Sequence, residues 1–251
     1  SLDNKTLLIL DEGNENLIQF IRFAKVLHKD NCRIILQCSN VAMELMANQK
    51  WINEVVTDDS IPDHDYHVHI GSLMNVFQCN PNNLLQEYPY LESKNNKVQS
   101  TEKDKLNIGL VLETSRESNA HDDESIDEEI MSNIFDDTCN VICLDQKITE
   151  KSLPAPYDRN FNYTNLDELS EFVSSLDIVI TVDHLVAHLA GALNVNTILM
   201  LPCVPNWRWE ITHRNATPWY KSVTIFRQET PGDWSSVIKK VKEIIKEKNH
   251  V

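Results

Sequence analysis

The feature that most constrains this chain lies in its last third, where an apolar strand pattern, DIVITVD at residues 177–183, runs straight into a helix pattern, HLVAHLAGA at 184–192. A second apolar strand, TILMLP at 197–202, follows at once. Strands that are apolar on both faces and joined through a helix belong to parallel sheets covered by helices on each side. The same alternation runs through the rest of the sequence. Apolar spacing predicts a strand at 6–11, a helix at 16–29, a strand at 32–38, a helix at 40–47 and a strand at 66–70. A second series follows: strand 106–112, helix 126–135, strand 140–144, helix 167–176, strand 177–182, helix 184–193 and strand 197–201. A basic amphipathic helix starting near Trp234 closes the chain.

Between the two series, residues 79–104 turn polar and read as a linker. A length of 251 residues allows one large or two small domains. The doubled alternation favours two Rossmann-like domains, residues 1–100 and 101–251, with mainly parallel sheets facing a cleft.

Composition limits the partners. A net charge of −15, from 38 acidic against 23 basic residues, argues against a nucleic-acid binder, whose footprint is basic. No segment approaches the roughly 20 apolar residues that span a bilayer, and no charged start with an apolar core marks a signal peptide. The expectation is a soluble, cytoplasmic protein. Its six cysteines (32, 38, 79, 139, 143 and 203) lack metal-type clustering and read as reduced core thiols. Residue 1 is Ser, which leaves room for an upstream fused domain or a protein partner.

A strand that delivers a polar residue to its C-terminal tip, with a helix opening directly after it, is how α/β proteins build a phosphate site. Here Asp183 reads as the helix N-cap, and His184 and His188, four apart, share a helix face. Each also has a plainer role: Asp183 as a cap alone, His188 as a satisfied core histidine. Gly191, between Ala190 and Ala192, permits close packing of helix on sheet. Beyond strand 197–201 lies an aromatic and basic cluster of Trp207, Arg208, Trp209, Arg214, Trp219 and Tyr220. Arginine is the natural bidentate partner of phosphate, and aromatic faces pack on sugars or bases.

The strings VDHLVAHLAGALNV, LPCVPNWRW, TPWY, IFRQ and PGDW occur in this order. They resemble the C-terminal half of the heptosyltransferase-like (family nine) glycosyltransferases, especially the catalytic domains joined to tetratricopeptide repeats in bacterial proteins. The N-terminal half is similar through LLIL (7–10), NLIQFIR (16–22), CRIIL (32–36), Asp65-Tyr66 and PYL (89–91). The resemblance implies a GT-B fold of two Rossmann-like domains, a nucleotide-sugar donor, a protein or glycan acceptor, and no required cofactor or metal. It implies Asp183 and His188 at the donor diphosphate. His184, Arg208, Arg214 and Trp207 join them as donor-binding candidates.

Two places depart from the family pattern. Its first strand is followed by a glycine-rich turn ending in Asp, which the resemblance makes the base for the acceptor hydroxyl. Here the turn is Gly13-Asn14-Glu15-Asn16, and a neutral amide takes up no proton at ordinary pH. Glu15 and Glu12, with Asp11 nearby, are the carboxylates left to act as base. After strand 106–112, where relatives carry a small and basic loop, residues 113–124 hold five acids and Arg116 alone as a base-type cation. Two readings follow: a transferase that moves sugar from a nucleotide donor, or a catalytically inactive binding or scaffolding protein of the same fold. An NAD-dependent enzyme fits poorly, since the chain has five glycines and no G-x-G-x-x-G. His67 and His69 share a strand face, but no further cluster completes a metal set in the sequence.

Overall fold

The computed structural model describes residues 2–57, 61–80, 84, 87–95, 104–113, 126, 130–131, 133–146, 157–209 and 215–248. It is a mixed α/β structure with two parallel sheets. The first is built from β1 (Thr6–Leu10), β2 (Arg33–Gln37), β3 (Glu54–Val56) and β4 (Tyr66–His69), in the order β3-β2-β1-β4. Helices α1 (Asn14–Phe20), α2 (Arg22–Lys29) and α3 (Asn40–Ala47) lie between its first three strands, and a 3₁₀ turn with α4 (Leu73–Val76) follows β4.

The second sheet has the order β10-β9-β8-β5-β6-β7. Its strands are β5 (Leu106–Val111), β6 (Cys139–Cys143), β7 (Arg159–Asn160), β8 (Ile178–Thr181), β9 (Thr197–Leu201) and β10 (Val223–Arg227). Its helices are α5 (Leu166–Val173) before β8, α6 (Leu185–Ala192) between β8 and β9, and α7 (Ser235–Lys248) after β10. Each strand pair is parallel; β5, for example, places Ile108 opposite Val141 of β6 and Ile178 of β8.

The apolar side chains that set these strands also set the layers. One core runs between the sheets, from Leu7, Ile9 and Ile34 through Leu17 and Ile18 of α1 to Val186 and Leu189 of α6 and Leu199 of β9. Thus α1 lies against α6, and α3 against α5. The far face of the second sheet carries Ile108, Ile180 and Met200 and is covered by Val237, Val241 and Ile245 of α7, each four residues from the next, as a single helix stripe requires. No helix among the described residues is long and apolar enough to cross a membrane.

Three details differ from the sequence reading. Helix 16–29 is two helices meeting at Ile21, because the Arg22 Nε donates to the Gln19 carbonyl at 3.0 Å and competes with the helical ladder. The stretch read as a linker is partly core: Leu84, Tyr90 and Leu91 are buried, Tyr90 Oη donates to the Ile18 carbonyl at 2.8 Å, and the Tyr90 N–H donates to Ala192 O at 3.1 Å. Strands β3, β7 and β10 add edges that the apolar pattern did not announce; β3 and β7 are only three and two residues long. Residues 127–129 and 132 of the predicted helix 126–135, and nearly all of the acidic stretch 113–124 with Arg116, lie outside the described residues. All six cysteines are free; four are buried, and burial pushes the Cys38 thiol up to about 12.

Candidate functional site

Both sheets change direction of strand order at one point. In the first sheet, β2 and β3 lie on one side of β1 and β4 on the other; in the second, β6 and β7 lie on one side of β5 and β8 to β10 on the other. Ligands of open α/β sheets bind outside the C-terminal strand ends at such switch points. The turn leaving β1 and the helix leaving β8 meet there. Between them is a cleft of about 400 Å³ lined by Glu12, Gly13, Asn14, Glu15, Asn16, Leu185 and Arg208.

The turn depends on Gly13, whose φ of 105° falls in the region that only glycine adopts without strain. The Gly13 N–H donates to Asp11 Oδ1 at 2.8 Å, closing a local Asx-type turn. Burial pushes the Asp11 carboxyl above its ordinary value, against backbone N–H groups that favour its charge. Glu12 reaches sideways: its Oε2 accepts the Gly71 N–H at 3.1 Å, and its Oε1 lies 3.4 Å from His69 Nδ1 at the tip of β4. Glu15, in the first turn of α1, lines the cleft itself.

Arg208 enters from a 3₁₀ turn (Trp207–Trp209) after β9 and crosses to the turn that follows β1. Its Nε donates to Gln19 Oε1 at 2.9 Å, a second guanidinium nitrogen donates to Asn16 Oδ1, and Asn206 Oδ1 accepts from its backbone N–H at 3.0 Å and from Nη1 at 3.4 Å. The guanidinium carbon lies 4.9 Å from the centre of the Trp207 ring, and Trp207 is 58% exposed. Neither Asn16 nor Gln19 stands out in sequence as an arginine partner, because they lie 192 and 189 positions away.

The residues at the start of α6 behave otherwise than expected. His184 is the N-cap, its Nδ1 accepting the Val186 N–H at 3.2 Å, so Asp183 is not the cap. The buried Asp183 carboxylate instead accepts the Trp209 indole N–H at 2.7 Å, which holds the 3₁₀ turn against β8. His188 is fully buried: its Nδ1 is 2.8 Å from Tyr220 Oη, and its ring stacks on Trp209 with centroids 4.8 Å apart. It therefore supports the site from beneath and does not line the cleft. Trp209, Trp219 and Tyr220 are core as well. Gly191 serves packing, since a Cβ there would sit 2.4 Å from the Tyr220 ring. Arg214 lies outside the described residues. The structure thus brings together Glu12, Glu15, Asn16 and Arg208, with Trp207 against Arg208 and His184 as the cap of the facing helix. Among the described residues no group of three or more His, Cys, Asp or Glu side chains is placed to hold a metal ion; His67 and His64 meet edge to face at 5.8 Å.

No protein-family model matches the chain, and a comparison with curated proteins finds no match. Solved structures do match. The ADP-heptose LPS heptosyltransferase II of E. coli superimposes with a TM-score of 0.67 at 12% identity, over 97% of this chain and 99% of that one. A family 9 glycosyl transferase from Veillonella parvula gives a TM-score of 0.67 at 11% identity, over 96% and 90%. The dodecameric iron-containing heptosyltransferase TibC, solved with ADP-D-beta-D-heptose, gives 0.63 at 13% identity, over 93% of this chain and 66% of that chain. At such identities the likeness shows the fold alone, and the fold of this chain is the one these heptosyltransferases share.

Proposed function

We propose that this chain is a GT-B glycosyltransferase, with its two Rossmann-like units divided near residue 100, that binds a nucleotide-sugar donor in the cleft between the β1 turn and α6. The observation that carries the reading is the position of Arg208: a cation brought from the second sheet to the tip of the first, at the switch points of both, facing the α6 N-terminus. A diphosphate leaving group needs such charge where its own charge develops, and the exposed Trp207 ring beside it suits a base or sugar face. Glu15, which lines the cleft from the first turn of α1, is the base for the acceptor hydroxyl, while the Glu12 carboxylate accepts the Gly71 N–H and lies beside His69. The acceptor is a protein or glycan, and the transfer needs no bound cofactor. Kinship with the domains joined to tetratricopeptide repeats, and a place in a bacterial cytoplasm, belong to the same proposal.

A second reading, a binding protein of the same fold without turnover, draws on Asn16: its amide oxygen is already an acceptor for Arg208, and it offers no carboxylate. Calorimetry and thermal shift with ADP-, UDP-, GDP- and CMP-sugars test the donor site. A ligand at a hundredfold excess over its Kd raises stability by about 2.7 kcal/mol. Arg208→Ala is expected to weaken the bound donor tenfold or more; an unchanged affinity removes Arg208 from the site. Donor hydrolysis that depends on Glu15 separates transferase from binding protein.

A further inference from the structure

The partners of Arg208 are unusual for a cation at a protein cleft. Among the described residues every one of them is neutral: the amide oxygens of Asn16, Gln19 and Asn206, and the face of Trp207. Guanidinium only donates, so each amide must present its oxygen. For Gln19 that has a consequence. Its side chain is fully buried, and with Oε1 turned to Arg208 its Nε2 has no hydrogen-bond partner. A glutamate would leave no such orphan donor, yet the position holds an amide. Asn16 is doubly committed: Nδ2 donates to the Glu12 carbonyl at 3.3 Å while Oδ1 accepts from Arg208. An aspartate cannot do both, because it would set a carboxylate oxygen against the Glu12 carbonyl.

We propose that Asn16 and Gln19 are positioning residues that fix the Arg208 guanidinium without neutralising it, which makes Arg208 a receptor for a diphosphate anion. Asn16 is then the residue this role requires, and not a blank left where a carboxylate stood. An anion entering the cleft, which Glu12 and Glu15 also line, meets at Arg208 a positive charge already oriented and held by neutral groups, in a protein whose overall charge of −15 would otherwise repel it. The identity of the ligand as a sugar-nucleotide diphosphate rests on the donor reading above; the receptor itself does not.

The test is calorimetric titration with inorganic pyrophosphate and with the sugar-nucleotide panel, using the parent chain, Asn16→Asp, Gln19→Glu, and Gln19→Glu combined with Arg208→Ala. Both single substitutions put a carboxylate on the guanidinium and are expected to weaken pyrophosphate at least tenfold. Gln19 is buried and meets no ligand, so its substitution acts only through the arginine: in the Arg208→Ala background it is expected to change nothing further. That loss of effect is a readout that a general weakening of the fold would not produce, and Asn16→Asp keeps the test alive if the buried glutamate impairs folding. Pyrophosphate affinity unchanged in both single variants, or Asn16→Asp gaining donor turnover at unchanged affinity, overturns the inference. Pyrophosphate binding lost in the variants, with no sugar nucleotide bound by the parent, supports the receptor and removes the donor reading; a parent that binds neither overturns both.

Discussion

Two arginines sit where the α1 and α2 side of the molecule meets the second sheet, and their surroundings differ in kind. Arg22 is 3% exposed, in a box of rings: its guanidinium carbon lies 4.2 Å from the centre of Tyr90, 5.1 Å from Tyr220, 5.5 Å from Tyr88 and 5.7 Å from Trp219. It donates to the carbonyls of Gln19 at 3.0 Å and Trp219 at 2.8 Å and to Tyr88 Oη at 3.2 Å. Burial raises the Tyr90 and Tyr220 hydroxyls, so both stay protonated. Arg208 is also held by neutral oxygens and a ring, but at the rim of a cleft. Buried, the arrangement spends its donors on fastening three distant segments together; at a cleft, the same neutral holding leaves charge available to something that arrives. Similar local chemistry therefore gives a staple in one place and a receptor in the other, and exposure decides which.

Arg22→Ala is the sharpest way to break that contrast. It leaves a cavity among four rings and takes a donor from the Gln19 and Trp219 carbonyls, and is expected to lower unfolding stability by about 3–5 kcal/mol. Arg208→Ala, at the cleft rim, is expected to lose less, about 1–2 kcal/mol, because it takes the donor from the buried Gln19 Oε1. Denaturant unfolding of the two variants side by side measures the difference, and equal losses would show that Arg208 is structural after all.

His188→Ala probes the layer between the two arginines. The resemblance put His188 at the donor diphosphate and the plainer reading made it a core histidine; its ring is fully buried on Trp209 and bonded to Tyr220. Truncation leaves a cavity and takes one of the Tyr220 hydroxyl's partners, Tyr90 remaining, at a cost of about 2 kcal/mol. Thermal unfolding is expected to show that loss, with ligand affinity near that of the parent once folded protein is compared. A tenfold loss of affinity in a variant of full stability would return His188 to the ligand.

This residue also illustrates what was legible in the sequence. The alternation of apolar strand and helix carried both sheets, since burial on both faces leaves a continuous apolar run, as in β5, β8 and β9. The phosphate-type turn after β8 was visible for the same reason. The cap was misassigned because Asp183 and His184 are adjacent and both accept hydrogen bonds; only the pull of the Trp209 indole, 26 positions on, decides between them. Tyr90 could not be seen as core from its polar neighbours, because its partners, the Ile18 and Ala192 carbonyls, come from other parts of the chain. The holding of Arg208 by Asn16 and Gln19 was hidden similarly: amide to guanidinium contacts leave no charge pattern to read.

The smallest expected effect concerns Asp11, behind the turn at the cleft mouth. Its carboxyl is raised, first by burial and then by Glu12 nearby, with N–H groups of Gly13, Glu12 and Ser39 pulling the other way. An acid whose folded pKa exceeds its unfolded one binds its proton more tightly when folded. Below the unfolded value, near 3.8, it adds no penalty; as pH rises toward the folded value the penalty develops, and at neutral pH it is complete. Asp11→Asn removes the titration while keeping an oxygen for the Gly13 N–H. Whatever constant offset the new amide brings, the variant is expected to gain on the parent as pH rises from about 3 to 7, by less than about 1 kcal/mol because the group is half exposed and solvent screens it. Paired melting curves across that range read the slope. A difference that is flat with pH, or that turns in the parent's favour, would mean that the turn welcomes the Asp11 charge, and that the cleft mouth is poised for cations where the holding of Arg208 argues for anions.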